Sequence, residues 1–136
     1  MKLNVIADNS GSVIEMGKHH LIRSLMLFVA QLPILNKEKY GAFEFRFYAW
    51  TDELREINPE NPPEPGGSNN TAVLEKITDN ILLLSDGYFS QSAYRPQEGI
   101  KCYCIAIGMD ANAHNLAAIS DNGRVCSAED IHTVVD

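Results

Sequence analysis

The chain has 136 residues, 45% of them hydrophobic, which suits one domain over 1–136 with a real core. Its net charge is −7 with the acids spread along the chain. That speaks against a phosphate-backbone binder, which needs clustered Lys and Arg, and is compatible with a carboxylate site for a hard divalent cation.

Residues 2–8 (KLNVIAD) read as a short apolar strand that runs into the turn Asp8-Asn9-Ser10-Gly11-Ser12. Residues 15–34 carry helical periodicity. Leu21, Leu25, Phe28 and Leu32, with Ile22, Met26 and Val29, form one broad stripe, and Pro33 helps to end it. Residues 42–50 (AFEFRFYAW) alternate, with Phe43, Phe45, Phe47 and Ala49 on one side, as in a strand with one face buried more deeply. ELREI, 53–57, is read as a short edge strand, and 58–70 as a Pro/Gly/Asn loop. A helix is expected over 71–77, with Asn70 or Thr71 as its N-cap.

NILLLS, 80–85, and KCYCIAIG, 101–108, are continuous apolar runs of the kind found in strands buried on both faces. The segment between them has no strong periodicity, so helix and loop both stay open. Residues 112–119 read as a helix, 123–127 as a last short strand and 128–135 as a last helix. Strands alternating with helices predict an α/β fold with a mainly parallel sheet and right-handed crossovers.

The three cysteines, Cys102, Cys104 and Cys126, are too few and odd in number for a disulfide framework and are read as buried or half-buried thiols. No apolar run approaches the roughly 20 residues of a membrane helix. The N-terminus has too short an apolar part for a signal peptide. A cytoplasmic protein with no membrane contact and no nucleic-acid partner is the expectation.

In open α/β sheets, ligands sit beyond the carboxyl ends of the strands. Three polar clusters fall there: Asp8-Asn9-Ser10-Gly11-Ser12, Gly66-Gly67-Ser68-Asn69 and Ser85-Asp86-Gly87. All offer oxygen rather than thiolate or imidazole, which suits Mg2+, Mn2+ or Ca2+ rather than zinc. Each has a plainer reading. Asp8 and the serines close turns and cap helices readily, and Asp86-Gly87 forms an ordinary turn. Taken together, the first after the first strand, the second before the second helix and the third after NILLLS, the clusters favour a bound cation.

These residues resemble the von Willebrand factor type A (VWA) domain. Its metal-ion-dependent adhesion site (MIDAS) combines a DxSxS motif, a later Thr in a GGTN-type loop, and a later Asp before Gly. Here DxSxS is Asp8-Asn9-Ser10-Gly11-Ser12, GGSN at 66–69 carries Ser68 in place of Thr, and Asp86 precedes Gly87. Thr71 is a rival for the Thr role, although it fits a helix cap better. The resemblance covers nearly the whole chain. It implies a Rossmann-like three-layer sandwich with helices on both faces of a mainly parallel sheet that has one antiparallel edge strand. It further implies Mg2+ or Mn2+ held by Asp8, Ser10, Ser12, Ser68 and Asp86, with an acidic side chain of another protein completing the shell. Bacterial members serve in larger assemblies, including AAA+-associated, stress and conflict systems.

The alternative from another class is a Mg2+-dependent phosphatase or phosphotransferase with Asp8 as nucleophile. Such chemistry usually needs a second acid two residues on and a Lys for phosphate. Position 10 is Ser, and Lys101 begins a strand rather than following one. A VWA scaffold without metal is the third reading. His19 and His20 are read as solvated and not as a shared metal site, and Trp50 as packing. Asp52 and Asp110 follow strands and are placed near the rim, with Asp110 a candidate for contact with the ligands rather than with the ion.

Overall fold

The computed structural model describes residues 2–89 and 99–131. Six strands form one sheet in the order β3-β2-β1-β4-β5-β6. The strands are β1 (Lys2–Asp8), β2 (Glu44–Trp50), β3 (Leu54–Glu56), β4 (Asn80–Ser85), β5 (Cys102–Ala106) and β6 (Val125–Ser127). All neighbours pair in parallel except β2 and β3, so the one antiparallel strand lies at an edge.

Alternation along the strands sorts side chains into two cores. Leu3, Val5 and Ala7 face one side with Phe47, Leu82, Leu84 and Ile105, where helix α1 (Lys18–Leu35) covers them with Ile22, Met26 and Val29. Ile6, Trp50, Leu83, Cys102 and Cys104 face the other side. They are covered by the 3-10 segment Thr71–Lys76 and by helix α3 (Ala113–Ile119). The result is the α/β three-layer sandwich expected from the sequence. Trp50 is packing, as read: it is fully buried, and its Nε1 donates to the Asn70 carbonyl at 3.0 Å.

Several boundaries differ from the sequence reading. The long helix begins at Lys18, because Gly11–Gly17 forms 3-10 turns broken by a kink. Met16 (φ 56°) and Gly17 (φ 71°) are both left-handed there. Pro33 does not end the helix. It lies in the last turn, where its missing N–H costs at most one bond, and the chain continues to Leu35. Asn36 then caps the short helix α2 (Lys37–Tyr40), its side chain accepting from the Lys39 amide.

The buried stripe is also narrower than read. Leu21 and Phe28 are exposed, while Ile22, Leu25, Met26, Val29 and Leu32 are buried. The segment after Asn70 is a 3-10 helix rather than an α-helix. Asn70 rather than Thr71 caps it, by accepting from the Ala72 amide at 3.0 Å. The last element shows a 3-10 turn over Ala128–Asp130. The rest of that expected helix, and most of the segment between β4 and β5, lie outside the described residues.

Candidate metal centre

The strand order reverses at the pair β1 and β4: β1 leads to β2 on one side, and β4 leads to β5 on the other. The two strands pair in parallel with Ala7 opposite Leu84, so Asp8 and Ser85 emerge side by side at their carboxyl ends. This is the switch point at which open α/β sheets bind ligands.

Asp8 is buried and accepts three hydrogen bonds. The Ser10 amide (3.0 Å) and Ser10 Oγ (2.7 Å) donate to Oδ1, and Ser85 Oγ (2.6 Å) donates to Oδ2. Among the described residues no base pairs with it. Burial is the main cause that raises its pKa above the ordinary carboxylate range, and the neighbouring charge of Asp86 adds to this. The bonds from Ser85 and Ser10 work in the opposite direction. Ser10 Oγ also lies 3.2 Å from Ser12 Oγ, which links the second serine of DxSxS to the same chain of oxygens.

The GGSN loop is tied to the DxSxS loop through backbone. Gly66 N donates to the Asn9 carbonyl at 2.9 Å, and Gly11 N donates to the Gly67 carbonyl at 3.0 Å. The Trp50 carbonyl at the end of β2 accepts from both Asn9 N and Asn69 Nδ2. These bonds set Ser68 on the wall of an open pocket of about 500 Å3 together with Ser10 and Ser12. Asn69 lines the same wall, and its Oδ1 is a buried oxygen with no hydrogen-bond partner. Thr71 is buried at the start of the following turn, and Ser68 is the hydroxyl that lines the pocket.

Asp86 is fully buried just beyond β4. Its Oδ1 accepts from the Tyr88 amide at 3.1 Å, and its Oδ2 lies 3.3 Å from Lys18 Nζ. Gly87 is required here. With φ +78° it is left-handed, and a Cβ would collide with the Asn112 carbonyl oxygen. Asn115 on α3 fastens the turn by donating Nδ2 to the carbonyls of Gly87 (2.9 Å) and Phe89 (3.1 Å).

Sequence reading missed three of these residues. Ser85 is read only as one oxygen of the third cluster and not as the partner of Asp8, Asn115 only as part of a helix, and Lys18 not at all. Lys18 had a signal: it stands four residues before Ile22 and seven before Leu25, on the buried face of α1. Asp110, read as a rim residue and a candidate for contact with the ligands, pairs with Lys18 at 2.9 Å, and Lys18 in turn contacts Asp86. The His19 and His20 rings lie against each other at a tilt of 37°, their centroids 3.9 Å apart. Cys102 and Cys104 are buried thiols, as read. Hydrogen bonding to Cys102, then burial, raises the Cys104 pKa well above the ordinary thiol value, which disfavours the nucleophilic thiolate.

Among the described residues no three His, Cys, Asp or Glu side chains gather as a metal site. A cation at this position would rely on two carboxylates supplemented by hydroxyls. The donor set fits a divalent ion: Asp8 is an acceptor with no cationic partner, an orphaned carbonyl oxygen lies in the pocket wall, and serine hydroxyls line the opening.

The sheet order and the two helical layers are the fold of a VWA domain. Solved structures carry the same architecture. The ArnB paralog VWA2 from Sulfolobus acidocaldarius matches with a TM-score of 0.66 and 20% identity, over 98% of this chain and 43% of that one. Proximal thread matrix protein 1 from the mussel byssus, in a structure with a zinc-occupied MIDAS motif, matches with a TM-score of 0.65 and 14% identity, over 98% of this chain and 46% of that one. The chain spans less than half the length of each. No family model and no curated protein sequence matches it.

Proposed function

We propose that the chain is a non-enzymatic, metal-dependent protein-interaction module. Asp8, Ser10, Ser12, Ser68 and Asp86 would hold Mg2+ or Mn2+, and a carboxylate of a partner protein would complete the shell. The observation that carries this reading is Asp8. A buried carboxylate held by three donors and no base is costly unless a cation arrives. Ser12 and Ser68, beyond the buried Ser10, line the open pocket through which such a cation would enter.

A bound divalent ion would act as a Lewis acid toward a carboxylate ligand. The residues' own part is to fix the electrophile's position. Ser10 and Ser85 orient the Asp8 carboxylate, and Asn115 holds the turn that carries Asp86. The phosphotransferase reading is disfavoured. Lys18 is the lysine of this site, yet it is buried between two carboxylates and is not among the pocket-lining residues, so it is badly placed to receive phosphate.

Free thiols at Cys102, Cys104 and Cys126 suit a reducing compartment, and among the described residues no helix is long and apolar enough to cross a membrane. A cytoplasmic place in a larger assembly, of the AAA+-associated, stress or conflict kind, accompanies the proposal.

The test is a thermal melt in EDTA, then with Mg2+, Mn2+ or Zn2+, with Asp8→Ala and Asp86→Ala alongside. An ion that binds only the folded state stabilises it by about 2.7 kcal/mol at a hundredfold excess over Kd. The expected result is a rise in wild type that both variants lose. Absence of a rise with every ion would overturn the metal reading.

A further inference from the structure

Lys18 sits in a prepared enclosure. Its side chain is 2% exposed, and its ammonium contacts two carboxylates, Asp86 at 3.3 Å and Asp110 at 2.9 Å. The Tyr88 ring lies over it, 5.3 Å from Nζ to the centroid, and the Tyr88 hydroxyl donates to the Asp110 carbonyl. The opposite wall is cut away for the lysine. At Gly108 (φ +90°) a Cβ would stand 2.8 Å from Lys18 Cε and 2.9 Å from Asp110 Oδ1. The left-handed pair Met16 and Gly17 immediately precedes the lysine, so the chain turns sharply and α1 starts with this side chain directed inward. Three stretches of chain, the entry to α1, the turn after β4 and the turn after β5, thus converge on one buried cation.

An exposed lysine at a helix start would need none of this. Lys18 places a positive charge on one of the two carboxylates that the metal reading requires, and does not touch the other.

We propose that Lys18 is a built-in counter-ion of the metal centre. Its ammonium neutralises Asp86 and holds the site's affinity for divalent cations low, so that an ion is retained firmly only when a partner's carboxylate joins the shell. The inference rests on the metal reading above and adds how that site is regulated. Metal and partner then bind cooperatively, because each supplies charge the other lacks.

The experiment is titration calorimetry of the whole chain with MnCl2 and with MgCl2, comparing wild type, Lys18→Met and Lys18→Arg. Removing the unit positive charge that sits 3.3 Å from Asp86 is expected to lower Kd about tenfold or more in Lys18→Met. Lys18→Arg keeps the charge and should retain the wild-type Kd. Equal or weaker binding by Lys18→Met overturns the inference and leaves the metal reading standing. Absence of uptake by wild type and Lys18→Met alike overturns both. If Lys18→Met does not fold, Asp110→Asn is compared with the double variant Lys18→Met/Asp110→Asn, which removes an ion pair rather than a lone charge. The double variant must bind Mn2+ more tightly than Asp110→Asn, and the opposite order overturns the inference.

Discussion

Replacing Ser85 by Ala separates what holds this site together from what it binds. Ser85 is fully buried and its oxygen serves two partners: it donates to Asp8 Oδ2 at 2.6 Å and accepts from Gly87 N at 3.0 Å. Alanine leaves both unsatisfied. A hydrogen bond to a charged group contributes about 1.5–3 kcal/mol, and an orphaned buried amide costs about 1–3 kcal/mol. Some relaxation is shared, so the net loss should be about 3–4 kcal/mol. Ser12 provides the control. It is half-buried and its oxygen shares a longer contact of 3.2 Å with Ser10, so Ser12→Ala should cost under about 1 kcal/mol. Urea unfolding in EDTA measures both without any metal contribution. With a slope of about 2 kcal/mol/M, Ser85→Ala should lower the midpoint by about 1.5–2 M and Ser12→Ala by less than about 0.5 M. A loss below about 1 kcal/mol for Ser85→Ala, or equal losses for the two variants, would refute the claim that Ser85 is the structural partner of Asp8.

Other consequences follow from the same contacts. Asn115→Ala removes the two bonds to the Gly87 and Phe89 carbonyls and should cost about 1–3 kcal/mol, with faster hydrogen exchange at the Tyr88 amide. Gly87→Ala forces a side chain into a left-handed position against the Asn112 carbonyl and should cost at least about 2 kcal/mol in a thermal melt; a change within noise would mean the turn is softer than drawn. Asp8 has a raised pKa, chiefly from burial. Its contribution to stability is therefore fully present below the unfolded pKa and lost as pH rises through the folded one. In chelator, Asp8→Asn should be more stable than wild type near neutral pH, and the gap should close on acidification through that window. Asp110 has its pKa lowered by the Lys18 hydrogen bond, so its smaller, exposed contribution runs the other way and fades only in stronger acid.

The strands were legible because their burial is written in apolar runs and alternation: VIA, FEFRFYAW, ILLL and CYCIAI each map onto an observed strand. Parallel pairing then fixes where each run ends, so Asp8 and Ser85 come together without any further information. What escaped the reading is carried by backbone or by single atoms. The bonds joining Gly66 and Gly67 to Asn9 and Gly11 involve main chain only, and main-chain groups are the same in every residue. The 3-10 character of 71–76 and the kink at Met16 are choices of geometry that tertiary packing makes over propensity. Lys18 was missed for a different reason. The apolar stripe of α1 was traced through hydrophobic residues alone, although its phase extended back to a charged one.

The two aspartates that look alike in the sequence end in opposite electrostatic situations. Asp86 faces an ammonium and a backbone amide. Asp8 faces hydroxyls and one amide, which are dipoles rather than charges. Dipoles lower the cost of a buried carboxylate but do not cancel it, and the raised pKa of Asp8 is the visible remainder. That remainder is free energy available to whatever cation reaches the site, whether proton or metal ion. Stability without metal and affinity for metal are therefore opposed at this position. Asp8→Asn should gain the first and lose the second in the same protein. If it gained stability and still responded to Mn2+ as wild type does, Asp8 would be a strained structural acid and the divalent ion would have to be sought elsewhere.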